Sequence, residues 1–493
     1  MTRVGLAWTT PDTAGLGAPW HPGVAFPELE ALLAESATQG PPNPVYEAVR
    51  RALAALGLDA ARFGSDAWNP LGDLVGPGQQ VVLKPNFIRH WNPCPAGTLE
   101  SVVTHGAVIR AMADYAQLAV GPGGSVTLAE APQQDCDWKA VTAWAGLPEI
   151  ARHHERCGRK LGCIDLRREC VETEDGVIVA RTPLPGDPAG YRAVDLGTRS
   201  FFTGSGLDPA RMRGADYDPA VTTEQHVGGR NAYLLSETVL RADLVVNLPK
   251  LKTHKKTGVT LALKNLVGIN GDKNWLPHHC VGSPHAGGDE YPHDDWSSRL
   301  RSRAIDWVRP HLARGRFLRP LRAVRRAEWA VRGDDFVRSG NWYGNRTTWR
   351  MCADLNRALY YSDAVGLDLS SERPRRTVLT VLDGLVAGEG EGPLAPSDRP
   401  LGAVLASLDP IALDVAAVRL MGFDERLIPK LHEVMADADG PRITQVRRAE
   451  DVSVTVSPEA DAPTVVMTPD ELPCEAPFLP HPGWKGHIER CPR

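Results

Sequence analysis

The chain has 493 residues, 42% hydrophobic and 23% charged, with a formal net charge of −5. That length exceeds what one hydrophobic core usually supports, so two domains, or one large domain with an insertion, are expected. The acidic balance, with no basic stripe interleaved with aromatics outside one short stretch, argues against a dedicated nucleic-acid binder, whose affinity comes from neutralising phosphates.

No window approaches 18 consecutive apolar residues, so no membrane span is expected. The opening MTRVGLAWTTPDTAG lacks the apolar run of a secretory signal, and a cytoplasmic location is the expectation. The nine cysteines include no CxxC pair, so free thiols are expected and an iron–sulfur cluster is not.

Residues 1–75 are rich in Pro and Gly and read as an N-terminal extension with one amphipathic helix at about 44–56. Residues 76–279 read as the first part of an α/β core. GQQVVLKPNFI is a strand opening into a loop at Lys84-Pro85-Asn86, THGAVIRAMADYAQL is a helix, and SVTLAEAP is a strand ending at Glu130. ADLVVNLPK is another strand, delivering Asn247, Pro249 and Lys250 at its carboxyl end, where ligands of open α/β sheets bind. TGVTLALKNLVGI predicts a helix.

Residues 280–375, rich in Arg and Trp, read as a helical insertion with a basic face. Residues 376–458 return to the core through RTVLTVLDGL, LGAVLASLDP and the helix IALDVAAVRLMGF. Residues 459–493 form a Pro-rich tail that wraps the surface. The resulting fold class is α/β: a mixed, largely parallel sheet with flanking helices and a helical insertion.

Lysine is distributed unevenly. The chain has 55 cationic residues, of which 11 are lysine, and six of these lie within 247–279. An ammonium is a compact charge on a flexible stem that can lose its proton when buried; a guanidinium is a rigid, permanently charged fork. The bias therefore points to binding of phosphate or carboxylate, to proton transfer, or to imine formation. Lys84 ends an apolar strand, Lys250 and Lys252 share one face of an extended segment with His254, and Lys264 has apolar neighbours three residues away on either side. Lys255 and Lys256 read as the solvated pair.

Several of these stretches together resemble one known family. Lys84-Pro85-Asn86, Thr104-His105, NLPKLKTH (247–254), LKNLVG (263–268), DGLVAGEGEGP (383–393) and DPIALD (409–414) are similar to the domain-of-unknown-function family 362 over roughly residues 80–430. GINGDKNWLPHH and GNWYGNRTTWRM resemble a long subfamily without the ferredoxin-like cysteine run of some members. The resemblance implies a setting in cell-surface polysaccharide or other small-molecule biosynthesis. A fainter resemblance to lactate racemase, through Pro, Lys, His and Gly of 249–268, implies an alternative isomerase or redox role with a bound metal or organic cofactor.

The leading expectation is an enzyme acting on an anionic small molecule, with transfer or isomerisation favoured over redox chemistry; a non-catalytic scaffold is the alternative from another class. Lys84 and Lys252 would bind the anion with Lys250 and Lys264. His254 would act as acid or base because its ordinary pKa lies nearest neutrality, with Lys250, Lys264 and Asp414 in the catalytic set. Asn86, His105, Asn247 and Asn265, from the matching motifs, complete the substrate-binding set.

Asp414 sits on the apolar side of its helix and needs a cationic partner, for which Lys84 and Lys264 are the candidates. Asp383, Glu391 and Asp409 could hold a divalent cation such as magnesium, with Glu391 in a glycine-rich turn; Asp409 before Pro410 reads equally well as a helix cap. His278 and His279 with His254 suit a transition metal less well. Trp342 and Asn345 offer a sugar-binding surface; the alternative is that half of their stretch is a buried helix. An anionic substrate, and a homo-oligomer, complete the expected partners.

Overall fold

The computed structural model describes residues 1–13, 15–174, 177–214, 219–294, 296–313, 339–438, 440–457 and 464–490. The run TRVGLAW forms β1 (Thr2–Trp8), buried on both faces from Val4 to Ala7. PVYEAVRRALAAL forms α1 (Pro44–Leu56), begun by Asn43, whose side chain accepts from the Tyr46 amide, and stopped by Gly57 in the left-handed region. The helix lies so close on the strand that a Cβ at Gly5 would fall 2.2 Å from Ala52 O.

The chain continues through β2 (Gln80–Pro85), α2 (Gly106–Val120), β3 (Ser125–Glu130) and β4 (Leu161–Asp165). After a region of short hairpins come β5 (Leu244–Leu248), β6 (Lys250–His254), α3 (Leu261–Asn265), α4 (Trp296–Ala313) and α5 (Thr348–Tyr360). The last part holds β7 (Val378–Glu391), β8 (Ala395–Ser407), α6 (Pro410–Leu420), β9 (Val452–Ser457) and β10 (Val465–Met467).

Among the described residues, one eleven-stranded sheet runs in the order β10-β9-β1-β8-β7-β5-β2-β3-β4, with β6 and the two-residue strand Gly258–Val259 pairing off this path. Strands β7, β5, β2, β3 and β4 are mutually parallel, and β8 joins antiparallel to β7 and β1. The fold is thus α/β with a mixed, largely parallel sheet. Its two faces carry separate cores: Val82 and Val245 point into one, with α3, α5 and α6, while Val81, Leu83, Leu244 and Val246 point into the other, with α1 and α2. This follows from the two-residue period of a strand covered on both sides.

Residues 1–75, set apart in the sequence as an extension, supply β1 to the interior of the sheet, between β9 and β8. In the insertion, α5 is buried in the core, whereas residues 314–338 lie outside the described residues. In the tail, Trp484 is buried and its indole N–H donates to Lys255 O at 2.9 Å.

Two local expectations are corrected. TGVTLALKNLVGI does not form one helix but a short strand (Gly258–Val259), the five-residue α3 and a 3-10 turn (Leu266–Ile269). The Thr260 amide donates to Lys252 O at 2.9 Å, which continues the β6 hairpin past the point where helical spacing begins. DGLVAGEGEGP is not a turn; β7 runs through to Glu391, paired with β8 from Thr380↔Ser407 to Glu391↔Ala395. Glycine serves close approach there: a Cβ at Gly388 would lie 2.8 Å from Ser101 O and 3.0 Å from Lys252 Cβ.

Candidate functional site

The carboxyl ends of β2, β3 and β5 meet α3, and their polar side chains interlock. Lys84, 1% exposed, donates to Pro85 O at 2.7 Å, to Asn265 Oδ1 at 3.2 Å and to the Glu130 carboxylate. Asn86 Nδ2 donates to the same Asn265 oxygen at 2.7 Å, and Asn265 Nδ2 donates to Asn247 Oδ1 at 2.8 Å and Lys84 O at 3.2 Å. Lys252 donates to Asn86 Oδ1 at 2.8 Å and to Val102 O. Lys84, Asn86, Asn247, Lys252 and Asn265 are therefore brought together, and they bind one another.

Burial favours the uncharged amine of Lys84, and Glu130 opposes that. Lys252, with only neutral oxygens as partners, is pushed well below the ordinary lysine value by burial and then by the nearby charges of Lys250 and Lys264. Glu130 is the residue sequence reasoning missed. Its signal was present: an acid ending a strand parallel to and beside the one that ends in Lys84, with Leu83 opposite Leu128.

A second group lies at the start of β6. Lys250 pairs in register with Asp383 of β7, and the side chains form an ion pair at 2.9 Å. Asp383 also accepts from the backbone N–H of His105 at 2.7 Å and of Leu385 at 3.0 Å. His105 caps α2: its Nδ1 accepts from the Ala107 amide at 3.1 Å, which leaves the ring proton on Nε2. Burial lowers its pKa to about 4, so the ring is neutral.

Lys264 stands apart from both groups. Among the described residues it has no hydrogen bond and no ion pair, although it is only partly exposed. Its charge lowers the pKa of Lys84, Lys252, His254, Lys256, Lys273, His278 and Lys430, and burial lowers that of Lys264 itself, against the opposing pull of Cys352 and Glu130. His254 Nδ1 accepts from the amides of Lys256 at 3.0 Å and Thr257 at 3.2 Å, so its proton sits on Nε2. Burial, then Lys264, pushes His254 well below its ordinary value. The expectation of a histidine titrating near neutrality is corrected: His254 is a fixed neutral donor. His278 is its counterpart, with Nδ1 donating to Leu276 O at 2.8 Å and Nε2 left as an acceptor.

The remaining candidates resolve into structural roles. Asp414 pairs with Lys430 at 3.4 Å, not with Lys84 or Lys264, and it caps α3 by accepting from Ala262 N at 2.7 Å and Leu263 N at 3.4 Å. Lys430 is far from the lysine-rich stretch in sequence, which is why spacing did not suggest it. Asp409 caps α6 and accepts from the Thr444 hydroxyl at 2.8 Å. Asp383 is held by Lys250, and Glu391 ends β7, so the three acids do not form one cation site. Among the described residues no three His, Cys, Asp or Glu side chains converge as a metal site, which also corrects the grouping of His278, His279 and His254.

Trp342 and Asn345 present no sugar-binding surface. Both are buried; the Trp342 indole donates to Asp289 O at 2.9 Å, and Asn345 donates to His278 O at 3.0 Å and Gly340 O at 2.9 Å. Lys256 is not solvated: it is buried and donates to Ser339 O.

No curated protein matches the chain. The family model described as a domain of unknown function (DUF362) matches residues 162–419, just over half of the sequence. Lys84, Asn86 and His105 lie before that span, yet Asn265 within it binds Lys84 and Asn86 directly, and Asp383 binds His105. The ordered motifs, the interlocking of their side chains and the family match lead to one statement: the chain belongs to the DUF362 family.

Proposed function

We propose that the protein is an enzyme that takes an anionic small molecule, phosphorylated or carboxylated, against Lys264. The observation that carries this reading is the isolation of that ammonium: Lys84, Lys250 and Lys430 each have a carboxylate, and Lys264 has none among the described residues. Burial lowers the pKa of Lys264 toward the uncharged amine, and an anionic ligand beside it would favour the ammonium form. The charge of Lys264 is also felt at His254, whose Nε2–H is a neutral donor suited to a phosphate or carboxylate oxygen.

The interlocked Lys84, Asn86, Asn247, Lys252 and Asn265 act in this reading as the rigid support that fixes α3 and thereby Lys264. A scaffold role would place these lysines in solvent for a partner, whereas Lys84, Lys250 and Lys252 are fully enclosed. The test is calorimetric titration of the full chain with pyrophosphate, phosphate and malonate. Binding of one of them that is lost in Lys264→Met supports the reading, and unchanged affinity in that variant overturns it.

A further inference from the structure

A cavity of about 440 Å³ opens beside the amino end of α2, within the range of small-molecule sites. Its lining includes Asp12, Thr13, Trp20, Glu100, His105 and Trp144. It is built on a strained residue: Trp20 is non-glycine yet has φ 59°, a conformation that bulky side chains rarely adopt and that clusters at functional sites. The indole is locked in place. Its Nε1 donates to Ala145 O at 3.0 Å, its ring centre lies 4.7 Å from that of His105, and a Cβ at Gly106 or Gly146 would come within 2.2 Å or 2.7 Å of Nε1.

The polar groups of the cavity are of two kinds. His105 is 3% exposed; its Nδ1 is occupied by the Ala107 amide, and its Nε2–H has no partner among the described residues. It is thus a buried donor on the cavity wall. Glu100 is an acceptor that receives the Thr13 hydroxyl, and its carboxyl is raised by burial against the opposing pull of Lys250.

A simple anion is repelled by Glu100 and Asp12. A simple ammonium is opposed by the His105 N–H, which can only donate. A hydroxyl both accepts and donates, and so matches both walls at once.

We propose that this cavity is a second binding site, for a neutral polyhydroxylated ring of the pyranose type. The apolar face of the ring lies on an indole, and its hydroxyls accept from His105 Nε2 and donate to Glu100. The site is independent of Lys264, which lines neither the cavity nor the contacts named here, so either assignment stands if the other fails.

The test is saturation-transfer NMR on the full chain with glucose, galactose and N-acetylglucosamine, with choline and phosphate as charged controls. Transfer to the ring protons of at least one sugar is expected. Its affinity should fall roughly tenfold in Glu100→Gln, the loss typical of a hydrogen bond to a charged acceptor, and fall again in Trp144→Ala. Pyrophosphate binding should remain unchanged in both. If Trp144→Ala fails to fold, the isosteric Glu100→Gln decides alone. The proposal is overturned by no transfer to any of the three sugars, by sugar affinity that Glu100→Gln leaves intact, or by Glu100-dependent binding of choline in their place.

Discussion

Lys250 Nζ lies 2.9 Å from Asp383 Oδ2, and both side chains are wholly withdrawn from solvent. The pair joins β6 to β7, and through the His105 amide it also anchors the start of α2. Removing one partner of such a pair leaves an uncompensated buried charge. Asp383→Asn and Lys250→Met are each expected to cost about 3–5 kcal/mol in urea unfolding. The double change Lys250→Met with Asp383→Leu should recover much of that loss. Two additive losses would show that the pair is not the main interaction of either residue.

Gly268 stands directly over the Lys84–Glu130 pair. A Cβ there would fall 1.8 Å from Glu130 Oε1 and 2.7 Å from Lys84 Nζ, so Gly268→Ala must force the two charges apart. The expected cost is about 3 kcal/mol or more, or failure to fold. Gly402→Ala is a poor control because its backbone is left-handed, whereas Gly366, with nothing within 4 Å, should accept alanine with little change. An equally mild effect at Gly268 would mean that the ion pair yields at little cost.

Much of the architecture was legible because apolar periodicity is a local signal. The strands at 80–85, 125–130 and 244–248 and the helices at 44–56 and 410–420 all follow from it. The inward turn of Lys84, Lys250 and Lys252 was legible too, since a cation set among apolar strand residues is carried out of water along with them. The partners were not. Glu130 and Asp383 reach their lysines across 46 and 133 residues of chain, Lys430 reaches Asp414 across 16, and nothing local encodes those distances. The 257–269 stretch shows a different limit. Helical spacing was present, but the Thr260 to Lys252 hydrogen bond and the Asp414 cap, both supplied from elsewhere in the chain, decide where the helix starts. Trp342 and Asn345 failed as sugar ligands because composition cannot tell an aromatic beside an amide in a core from the same pair on a surface.

Acid should destabilise the protein through histidines held neutral. His105 and His21 are lowered to about 4, and His153 and His278 to about 3, in each case first by burial. A histidine whose folded pKa lies below its unfolded value binds fewer protons in the native state, so stability is lost as pH falls from about 6.5 toward the folded value. One such ring accounts for about 2 kcal/mol between pH 7 and pH 5. His105→Asn should therefore lose about that much less than the wild type over this interval in urea melts, whatever its stability at pH 7. Parallel losses in the two proteins would place the titration elsewhere.

Lys264 makes the opposite stability prediction from its neighbours. Lys84, Lys250 and Lys430 each compensate a carboxylate, so their removal strands a charge. Lys264 compensates none among the described residues, and its charge makes protonation harder at Lys252, His254 and Lys430. Lys264→Met should leave the ligand-free protein as stable as the wild type, or more so, because a repulsive charge is replaced by a similar apolar stem. The same variant should lose the stabilisation that pyrophosphate confers, about 2.7 kcal/mol when the ligand is at a hundred times its Kd. A merely structural lysine gives the reverse: lower stability without ligand and an unchanged ligand-induced gain. Thermal melts of both proteins with and without pyrophosphate separate the two, since only a group that meets the anion can be dispensable for folding yet needed for the shift.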